Sequence, residues 1–339
     1  MRILILGGSS FVGHAITVAA TGRNHEVTTF TRSSLPPGAA EGRIETLFGD
    51  RTAEGAYDFA KGRQWDVVID TWFGAPRIVQ ESVTHLKAHA PYYAYVSTCS
   101  VYDGDPLPVG VNEDFPTVAA DPSAESTNYP ADKRGAELAI LNEFGAQASL
   151  IARPGLILGP REWPARLAWW LRHISEGGEI LAPSPSDLPI QYIDARDLAE
   201  WLVQSIEKHL TGTFNTLSPT AHCTMSELLE ECKSVTNSDA TLTWLPTDFL
   251  VEHDVQPWNE LPIWMTPDKY NFYNFDTTKA QAAGLITRPM SETVRDTWQS
   301  VLNEPQAELP AGRVPPGIDR DKEKAVLAAW HQRIQLKLR

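Results

Sequence analysis

The start of the chain, a short apolar strand followed at once by a glycine turn and a helix, constrains the fold most strongly. Arg2 to Leu6 is apolar after its first residue, and the turn that follows carries glycines at Gly7, Gly8 and Gly13. Small residues in such a turn let the backbone approach a phosphate group, whose charge the helix N-terminus attracts. We therefore predict that this strand opens a parallel sheet and that the turn cradles a pyrophosphate.

Short apolar strands alternate with helical stretches throughout the first half of the chain. Strands separated by helices form a parallel sheet that is covered on both faces, and ligands bind beyond the carboxyl ends of its strands. We predict strands over Ile3 to Leu6, Glu26 to Thr31, Ile44 to Phe48, Val67 to Thr71, Tyr93 to Ser97 and Ser149 to Arg153. The residues expected at the carboxyl ends of these strands are Gly7, Thr31, Asp50, Asp70 and Thr98.

The sequence changes in character after Pro160, where tryptophan-containing and proline- and serine-rich stretches interrupt the alternation. We predict an α/β fold with a Rossmann-type doubly wound parallel sheet in residues 1–160, which a returning segment at 188–216 completes. Residues 161–187 and 217–339 are expected to form a smaller, mostly helical C-terminal substrate-binding subdomain. Its last part, Ile318 to Arg339, has the apolar spacing of an amphipathic helix that docks on the body of the protein.

Bulk composition limits the classes of partner. The chain has 339 residues, a hydrophobic fraction of 42% and a formal net charge of −14, and nucleic acid is bound by clustered Lys and Arg that are not seen here. No apolar run reaches the roughly 20 residues that cross a bilayer, and no signal peptide is recognised. The 3 cysteines do not suggest a disulfide framework. We expect a cytoplasmic monomer or homodimer that binds a small-molecule substrate, no nucleic acid, no membrane and, since its histidines lack ligand spacing, no metal.

Tyr129 and Lys133 stand four residues apart, a spacing that places both side chains on one face of a helix. A free tyrosine titrates near roughly pH 10, so acid–base chemistry near neutrality requires a neighbouring positive charge. Lys133 supplies one. The predicted strand that begins at Tyr93 ends in hydroxyl side chains, and Thr98 there can reach a substrate oxygen. Tyr129, Lys133 and Thr98 are therefore the predicted catalytic residues, although the Tyr–Lys spacing alone also occurs on surface helices.

A series of landmarks resembles, in the same order, the extended or atypical short-chain dehydrogenase/reductase superfamily, in its NAD-dependent epimerase/dehydratase branch. The resemblance covers most of the chain. The landmarks are the glycine turn, Gly49-Asp50, Val67 to Asp70, Ser97-Thr98, Tyr129 with Lys133, Arg153 to Pro160 and Gln191 to Ala199.

This resemblance implies a nicotinamide dinucleotide cofactor. Gly7 and Gly13 match the outer glycines of the family's G-x-x-G-x-x-G turn, and Ser10 replaces the middle one. Asp50 matches the position that contacts the adenine ring, and Pro154 to Leu156 match the segment beside the nicotinamide carboxamide. The residues expected to bind the cofactor are Gly7, Ser9, Ser10, Phe11, Val12, Gly13, Thr31, Arg32, Asp50, Arg51, Asp70, Thr71, Ser97, Lys133, Pro154 and Leu156.

The end of the second predicted strand indicates which form of the cofactor is bound. The acidic residue that would bond the ribose hydroxyls of NAD is missing, Thr31 stands in its place and Arg32 follows. The loss of a carboxylate removes repulsion of a 2′-phosphate, and a guanidinium gives that phosphate a partner. NADP(H) is therefore favoured, and NAD(H) is the alternative.

By the same resemblance, Tyr129 exchanges a proton with a substrate oxygen, Lys133 holds the nicotinamide ribose and assists Tyr129, and Thr98 bonds the substrate oxygen. Cys99-Ser100 follows Thr98 where 4,6-dehydratases of this branch carry Asp-Glu, so a dehydratase is not expected. The leading hypothesis is an NADP(H)-dependent oxidoreductase that acts on a ketone or secondary alcohol. The alternatives are an epimerase with a retained cofactor and a catalytically idle NADP-sensing or RNA-associated binding protein.

Two positions in the sequence bear on the class of substrate. Ile190 and Leu156 stand where nucleotide-sugar epimerases carry an arginine and an asparagine, so a nucleotide sugar lacks its main anchors. A less charged, partly aromatic or carbocyclic molecule is expected. The predicted substrate contacts are Cys99, Arg161, Trp163, Ile190 and Trp258.

Overall fold

The structure, a computed structural model, describes residues 1–34, 44–304 and 314–337. These residues divide into two compact units. The first unit comprises residues 1–157, 192–219 and 274–287, and the second comprises residues 158–191, 220–273 and 288–339 so far as they are described.

A parallel sheet forms the centre of the first unit. Within the described residues it has 7 strands in the spatial order β11-β6-β5-β4-β1-β2-β3. All of its strand pairs are parallel. The strands are β1 (Arg2–Leu6), β2 (Glu26–Thr31), β3 (Ile44–Phe48), β4 (Val67–Asp70), β5 (Tyr93–Val96), β6 (Ser149–Arg153) and β11 (Gly212–Asn215). The predicted Rossmann-type fold class is confirmed.

Helices cover both faces of this sheet, because successive side chains of each buried strand point to opposite faces. Ile3 and Ile5 of β1 pack with one pair of helices, whereas Leu4 and Leu6 pack with the other pair. The first pair is α1 (Phe11–Gly22) and α5 (Ala195–Glu207), and the second is α2 (Pro76–Leu86) and α3 (Tyr129–Phe144). The first unit also contains the short helix α8 (Thr278–Ala282) and the strand β10 (Tyr192–Asp194). Strand β10 pairs with the short strand β7 (Leu156–Leu158).

The prediction that all of 217–339 belongs to the substrate-binding part needs a correction at Asn274–Thr287. This segment lies in the first unit, because the side chain of Asn215 at the end of β11 donates one hydrogen bond to the Asp276 carbonyl and another to the Val111 carbonyl, both 3.0 Å long. Phe275 beside it is fully buried. These contacts join positions far apart in sequence, which a reading of local composition does not reveal.

The second unit contains helices and pairs of short strands. Its strands are β8 (Glu179–Ser184), β9 (Pro189–Ile190), β12 (Cys223–Thr224) and β13 (Thr241–Pro246), with β8 parallel to β13 and β9 antiparallel to β12. Its helices are α4 (Arg166–Ser175), α6 (Met225–Thr236), α7 (Thr247–Glu252), α9 (Met290–Asn303) and α10 (Arg320–Lys337).

The C-terminal helix, which was predicted to dock on the body of the protein, is α10, and it packs against other residues of the second unit. Val326 and Leu327 are buried, and the carboxylate of Glu323 accepts hydrogen bonds from His173 at 2.9 Å and from the Leu181 backbone at 3.0 Å. Ile334, nearer its end, is 38% exposed, and residues 338–339 lie outside the described residues. In the part of the chain that is described, none of the helices has the length and apolar character that crossing a membrane requires.

Candidate active site

The glycine turn has a backbone that only small residues permit. Gly7 has a φ of +96°, a value that favours glycine, and its N–H donates to the Phe30 carbonyl at 3.0 Å. A Cβ on Gly13 would lie 1.9 Å from the Gly7 carbonyl oxygen, and a Cβ on Gly8 would lie 2.7 Å from the Thr29 methyl group. Ser10 precedes α1 with a φ of −115°, which is ordinary for any residue, so the middle glycine of the family turn is not required here.

Gly7, Gly8 and Gly13 thus form a glycine cradle at the N-terminus of α1, where the backbone segments lie so close together that a Cβ would not fit. Such a cradle fits the pyrophosphate of a dinucleotide. Thr71 lies against it and donates to the Leu6 carbonyl at 3.0 Å. Phe11, the first residue of α1, is buried with an unusual φ of 24°, and Val12 packs on the sheet. Positive φ at a buried aromatic residue is a strained conformation, and such strain is common at functional sites.

The carboxyl end of β2 presents hydroxyl groups. The Thr31 and Ser9 hydroxyl oxygens are 2.6 Å apart, and the Ser33 N–H donates to Thr31 at 3.4 Å. Arg32 is exposed. Two hydrogen bonds from Thr52 hold the pKa of Asp50 below its usual value, and the nearby charge of Arg32 adds to that effect. Arg32 thus has a neighbouring carboxylate, but the acidic residue characteristic of NAD selectivity is absent from the strand end itself.

Arg51 and Asp70, both predicted to bind the cofactor, bind each other. Arg51 donates two hydrogen bonds of 2.7 Å to the Asp70 carboxylate, which is fully buried. Although burial raises the pKa of Asp70, the Arg51 charge and the hydrogen bonds together hold it below its usual value. Because these buried side chains bind each other, the Asp70 carboxylate and the Arg51 guanidinium are not presented to a cofactor as predicted.

Helix α3 begins at Tyr129, because the Asn128 side chain caps it by accepting a hydrogen bond of 3.0 Å from the Ala131 N–H. Tyr129 is 44% exposed, whereas Lys133 one turn later is buried. The Lys133 ammonium donates to the carbonyls of Trp72 at 2.7 Å and Val96 at 2.5 Å and lies 4.2 Å from the centre of the Tyr95 ring. Burial lowers the pKa of Lys133 to about 7.

Glu137 is a further member of this helix face that the sequence analysis missed. It lies four residues after Lys133, is fully buried and accepts a hydrogen bond of 2.5 Å from Ser97. Arg153 at the end of β6 donates to its two oxygens at 2.8 and 2.7 Å. The repeated spacing of four residues from Tyr129 through Lys133 to Glu137 is the signal that could have identified it.

Thr98 lies two residues after the end of β5 and caps the single helical turn Cys99–Val101. Its hydroxyl accepts from the Ser100 N–H at 3.1 Å and donates to the Ser100 hydroxyl at 3.2 Å. Thr98 is 4% exposed, and Ser100 is more accessible. Ser100 was not predicted as a site residue, and its place within the hydroxyl pair is visible only in the folded chain.

Cys99, predicted as a substrate contact, needs a correction. Its side chain is fully buried and its thiol lies 3.0 Å from the Arg153 carbonyl, to which it donates a hydrogen bond. Burial raises the pKa of this thiol well above its usual value. Its backbone N–H donates to the Pro154 carbonyl at 2.8 Å, so Cys99 ties β5 to the segment after β6. Leu156 in that segment is also buried.

The remaining predicted substrate contacts lie in the second unit. Arg161 forms an ion pair with Glu304, and Trp163 is half-buried. The Arg166 guanidinium lies over the Trp258 ring, 4.7 Å from the ring centre. Ile190 is 1% exposed and pairs with Cys223 in a β-ladder, so its side chain is not presented to a ligand as predicted. Arg161 and Trp258 both have positive φ, at 67° and 64°.

Metal binding has no candidate in the described residues, where no group of three or more His, Cys, Asp or Glu side chains could hold an ion.

Comparison with known proteins agrees with this geometry. The protein-family model for the NAD dependent epimerase/dehydratase family matches residues 3–216. Among curated proteins, the chain is 27% identical over 249 residues to the chloroplast stem-loop binding protein of 41 kDa b from Arabidopsis thaliana, a match that covers 68% of this chain and 62% of that protein. The match thus spans less than two thirds of the relative's length.

Solved structures share the fold at low sequence identity. The enzyme WbmH of Bordetella bronchiseptica, solved with NAD+, superimposes with a TM-score of 0.69 at 15% identity over 89% of this chain and 98% of that one. The UDP-glucuronic acid 4-epimerase of Bacillus cereus, solved with NAD, gives a TM-score of 0.63 at 16% identity over 89% and 99% of the two chains. With its matching family model, its parallel sheet and its glycine cradle, the chain belongs to the NAD dependent epimerase/dehydratase family.

Proposed function

We propose that this protein is an NADP(H)-dependent oxidoreductase that reduces a ketone, or oxidises a secondary alcohol, on a small metabolite. The observation that carries the proposal is the arrangement on α3: an accessible Tyr129 at the helix N-terminus and a buried Lys133 ammonium one turn later. The bound nicotinamide would supply or accept the hydride. The protein's own contribution is to place the substrate oxygen and to move one proton.

Tyr129 is the group that moves this proton. Its hydroxyl is on a side chain that is 44% exposed, so a substrate can reach it, and its position at the start of α3 favours the phenolate through the helix dipole. The Lys133 charge on the same helix face favours the phenolate further. In the reducing direction Tyr129 donates its proton to the developing alkoxide, and in the oxidising direction the phenolate accepts the proton of the alcohol.

Thr98 and Ser100 act together on the substrate oxygen. Because Thr98 both accepts from the Ser100 N–H and donates to the Ser100 hydroxyl, the proton of Ser100 is the one left to donate outward. We therefore extend the predicted catalytic set of Tyr129, Lys133 and Thr98 by Ser100. A donor at this place stabilises negative charge that develops on the substrate oxygen.

The preference for NADP(H) is supported by the hydroxyl-lined end of β2. Ser9 and Thr31 offer neutral hydroxyls, and Arg32 offers a charged hydrogen-bond donor. A carboxylate at position 31 would instead repel a 2′-phosphate. The solved relatives named above contain NAD, so NAD(H) is the alternative that the cofactor titration must distinguish.

A redox-neutral epimerase is the second candidate, and the family assignment together with the epimerase fold of the Bacillus cereus enzyme favours it. Such an enzyme would return the hydride to the same carbon and consume no cofactor. A nucleotide sugar is disfavoured as its substrate, because the buried, apolar Ile190 and Leu156 offer no group to hold a diphosphate.

A binding role without catalysis is the third candidate, because the Arabidopsis relative is described as a stem-loop binding protein. The formal charge of −14 opposes RNA binding, since phosphate backbones attract Lys- and Arg-rich surfaces. A gel-shift titration with a stem-loop RNA at low and at moderate salt tests this candidate directly.

Two measurements test the leading proposal. NADPH and NADH are first titrated against the purified protein by fluorescence, with tighter NADPH binding expected. Oxidation of NADPH is then followed with a panel of ketones and with any small molecule that copurifies and is identified by mass spectrometry. Stoichiometric consumption of NADPH supports the oxidoreductase, whereas conversion of the substrate without net consumption establishes the epimerase in its place.

A further inference from the structure

We propose that the buried Asp70, held by Arg51, is a positioning residue for Lys133 and acts on it through the backbone of Trp72, whose N–H bonds to Asp70 and whose carbonyl bonds to Lys133. This role of Asp70 goes beyond the proposed function, because the side chains involved contact each other in the protein itself. It also differs from the cofactor binding predicted for Arg51 and Asp70.

Each of the two oxygens of the Asp70 carboxylate accepts two hydrogen bonds. One oxygen accepts from Arg51 at 2.7 Å and from the Trp72 N–H at 2.9 Å. The other accepts from Arg51 at 2.7 Å and from the Tyr93 hydroxyl at 2.6 Å. A carboxylate with this many hydrogen bonds has one orientation, and the Trp72 N–H, two residues beyond the end of β4, is fixed with it.

The carbonyl of Trp72 contacts Lys133 on helix α3. It accepts from the Lys133 ammonium at 2.7 Å and from the Tyr95 hydroxyl at 2.9 Å. The indole N–H of Trp72 donates to the Ala75 carbonyl at 2.9 Å, and the Arg51 guanidinium lies 5.0 Å from the indole ring centre. Hydrogen bonds thus hold Trp72 at its N–H, at its carbonyl and at its ring, which restrains the carbonyl that binds Lys133.

Electrostatics gives the carboxylate a second effect on Lys133. The charged and titratable groups near the ammonium are Asp70, Glu137, Arg51 and Tyr95, and Tyr129 in turn interacts electrostatically with Tyr95. Burial lowers the pKa of Lys133, and Asp70 and Glu137 oppose this by favouring the protonated form, while Arg51 adds a smaller unfavourable effect. Removal of the Asp70 charge should therefore leave a larger fraction of Lys133 neutral at pH 7.

The decisive measurement is the titration of Lys133 in the protein without cofactor. Lysine labelled with 13C at Cε is incorporated, the Lys133 resonance is assigned by its loss in Lys133→Met, and its pH midpoint is followed by NMR. Asp70→Asn should lower that midpoint by about one pH unit or more, because a neighbouring carboxylate shifts a buried group by this amount. Asp66→Asn, at the other end of β4, where the carboxylate accepts from the Arg2 N–H, should leave it unchanged.

The double variant Arg51→Met/Asp70→Asn covers the case in which Asp70→Asn alone does not fold, because it leaves no unpaired buried charge. Its Lys133 midpoint should be lowered, but by less than in Asp70→Asn, since the opposing charge of Arg51 is lost as well. A folded Asp70→Asn or double variant whose Lys133 midpoint equals that of the wild type overturns the inference. Absence of NADPH binding would instead count against the proposed function and leave this titration valid.

Discussion

The hydroxyl oxygens of Ser9 and Thr31 lie 2.6 Å apart and join the glycine turn to the carboxyl end of the second strand. In dinucleotide-binding folds this strand end carries the carboxylate that bonds the ribose hydroxyls of NAD. Here two neutral hydroxyls meet, and the charged Arg32 follows them along the chain. The relationship between Ser9 and Thr31 therefore bears directly on which cofactor the protein selects.

Replacing Arg32 tests the choice of cofactor. Arg32→Ala should weaken NADPH binding by about tenfold or more and change NADH binding little, because a charge-assisted hydrogen bond to the 2′-phosphate is lost. Thr31→Asp should reverse the preference toward NADH by adding the missing carboxylate. Fluorescence titration of both cofactors gives the four affinities. Equal losses for NADPH and NADH in Arg32→Ala would show that Arg32 does not contact a 2′-phosphate.

Removing the Tyr129 hydroxyl tests the proton transfer. Tyr129→Phe should lower turnover on an identified substrate by about 10² to 10⁴-fold, the usual contribution of a general acid–base group. Cofactor affinity and melting temperature should stay close to wild type, because the exposed ring remains and only its hydroxyl is lost. Wild-type turnover in Tyr129→Phe would assign the proton transfer to another group.

The glycine cradle can be probed with a matched pair of substitutions in α1. Gly13→Ala should abolish cofactor binding and lower the melting temperature, because its Cβ would lie 1.9 Å from the Gly7 carbonyl oxygen. Gly22→Ala, at the end of the same helix, meets no atom within 4 Å and should be neutral or stabilise the protein by up to about 1 kcal/mol. Thermal melting and NADPH titration of the two variants provide the comparison. A well-folded Gly13→Ala that still binds NADPH would contradict the close approach.

Glu137 should contribute a pH-dependent part of the stability. Burial raises its pKa, but hydrogen bonds from Arg153, Ser97 and Arg134 outweigh this and hold the pKa below the ordinary value of 4.5. A carboxyl whose pKa is lower in the folded state stabilises fully above its unfolded pKa, and this contribution is lost as the pH falls through the folded pKa.

Glu137→Gln should therefore cost about 3 kcal/mol near neutral pH, since it leaves Arg153 without its buried counter-charge, and the deficit should shrink in acid below about pH 4.5. Denaturant unfolding across this range measures it, with the exposed Glu143→Gln of the same helix as the control. A deficit that stays constant with pH would show that the carboxylate charge is not what stabilises the fold.

The substrate class is tested with UDP-glucose. We expect millimolar UDP-glucose to leave the melting temperature of the NADP-bound protein unchanged, because Ile190 and Leu156 are buried apolar residues that cannot hold a diphosphate. A clear upward shift would favour the nucleotide-sugar epimerase. Arg161→Ala and Arg166→Ala would then show which arginine holds the phosphates.

Much of the sheet could be predicted locally. The strands Glu26–Thr31, Ile44–Phe48 and Ser149–Arg153 have the same bounds in sequence and structure, because runs of β-branched and apolar residues between helical stretches mark buried parallel strands. The edge strand Gly212–Asn215 was not predicted as a strand, since its four residues carry little apolar pattern and it is completed by pairing with β6.

The glycine turn and the helical spacing of Tyr129 and Lys133 could be predicted, because both follow from the chemistry of residues that are close along the chain. The folded chain alone shows that Arg51 pairs with Asp70, that Cys99 and Ile190 are buried, and that Lys133 binds the Trp72 carbonyl. Those contacts join positions on different strands and helices. Their partners are fixed by strand order and by the need to satisfy every buried charge, and neither is encoded in a local pattern.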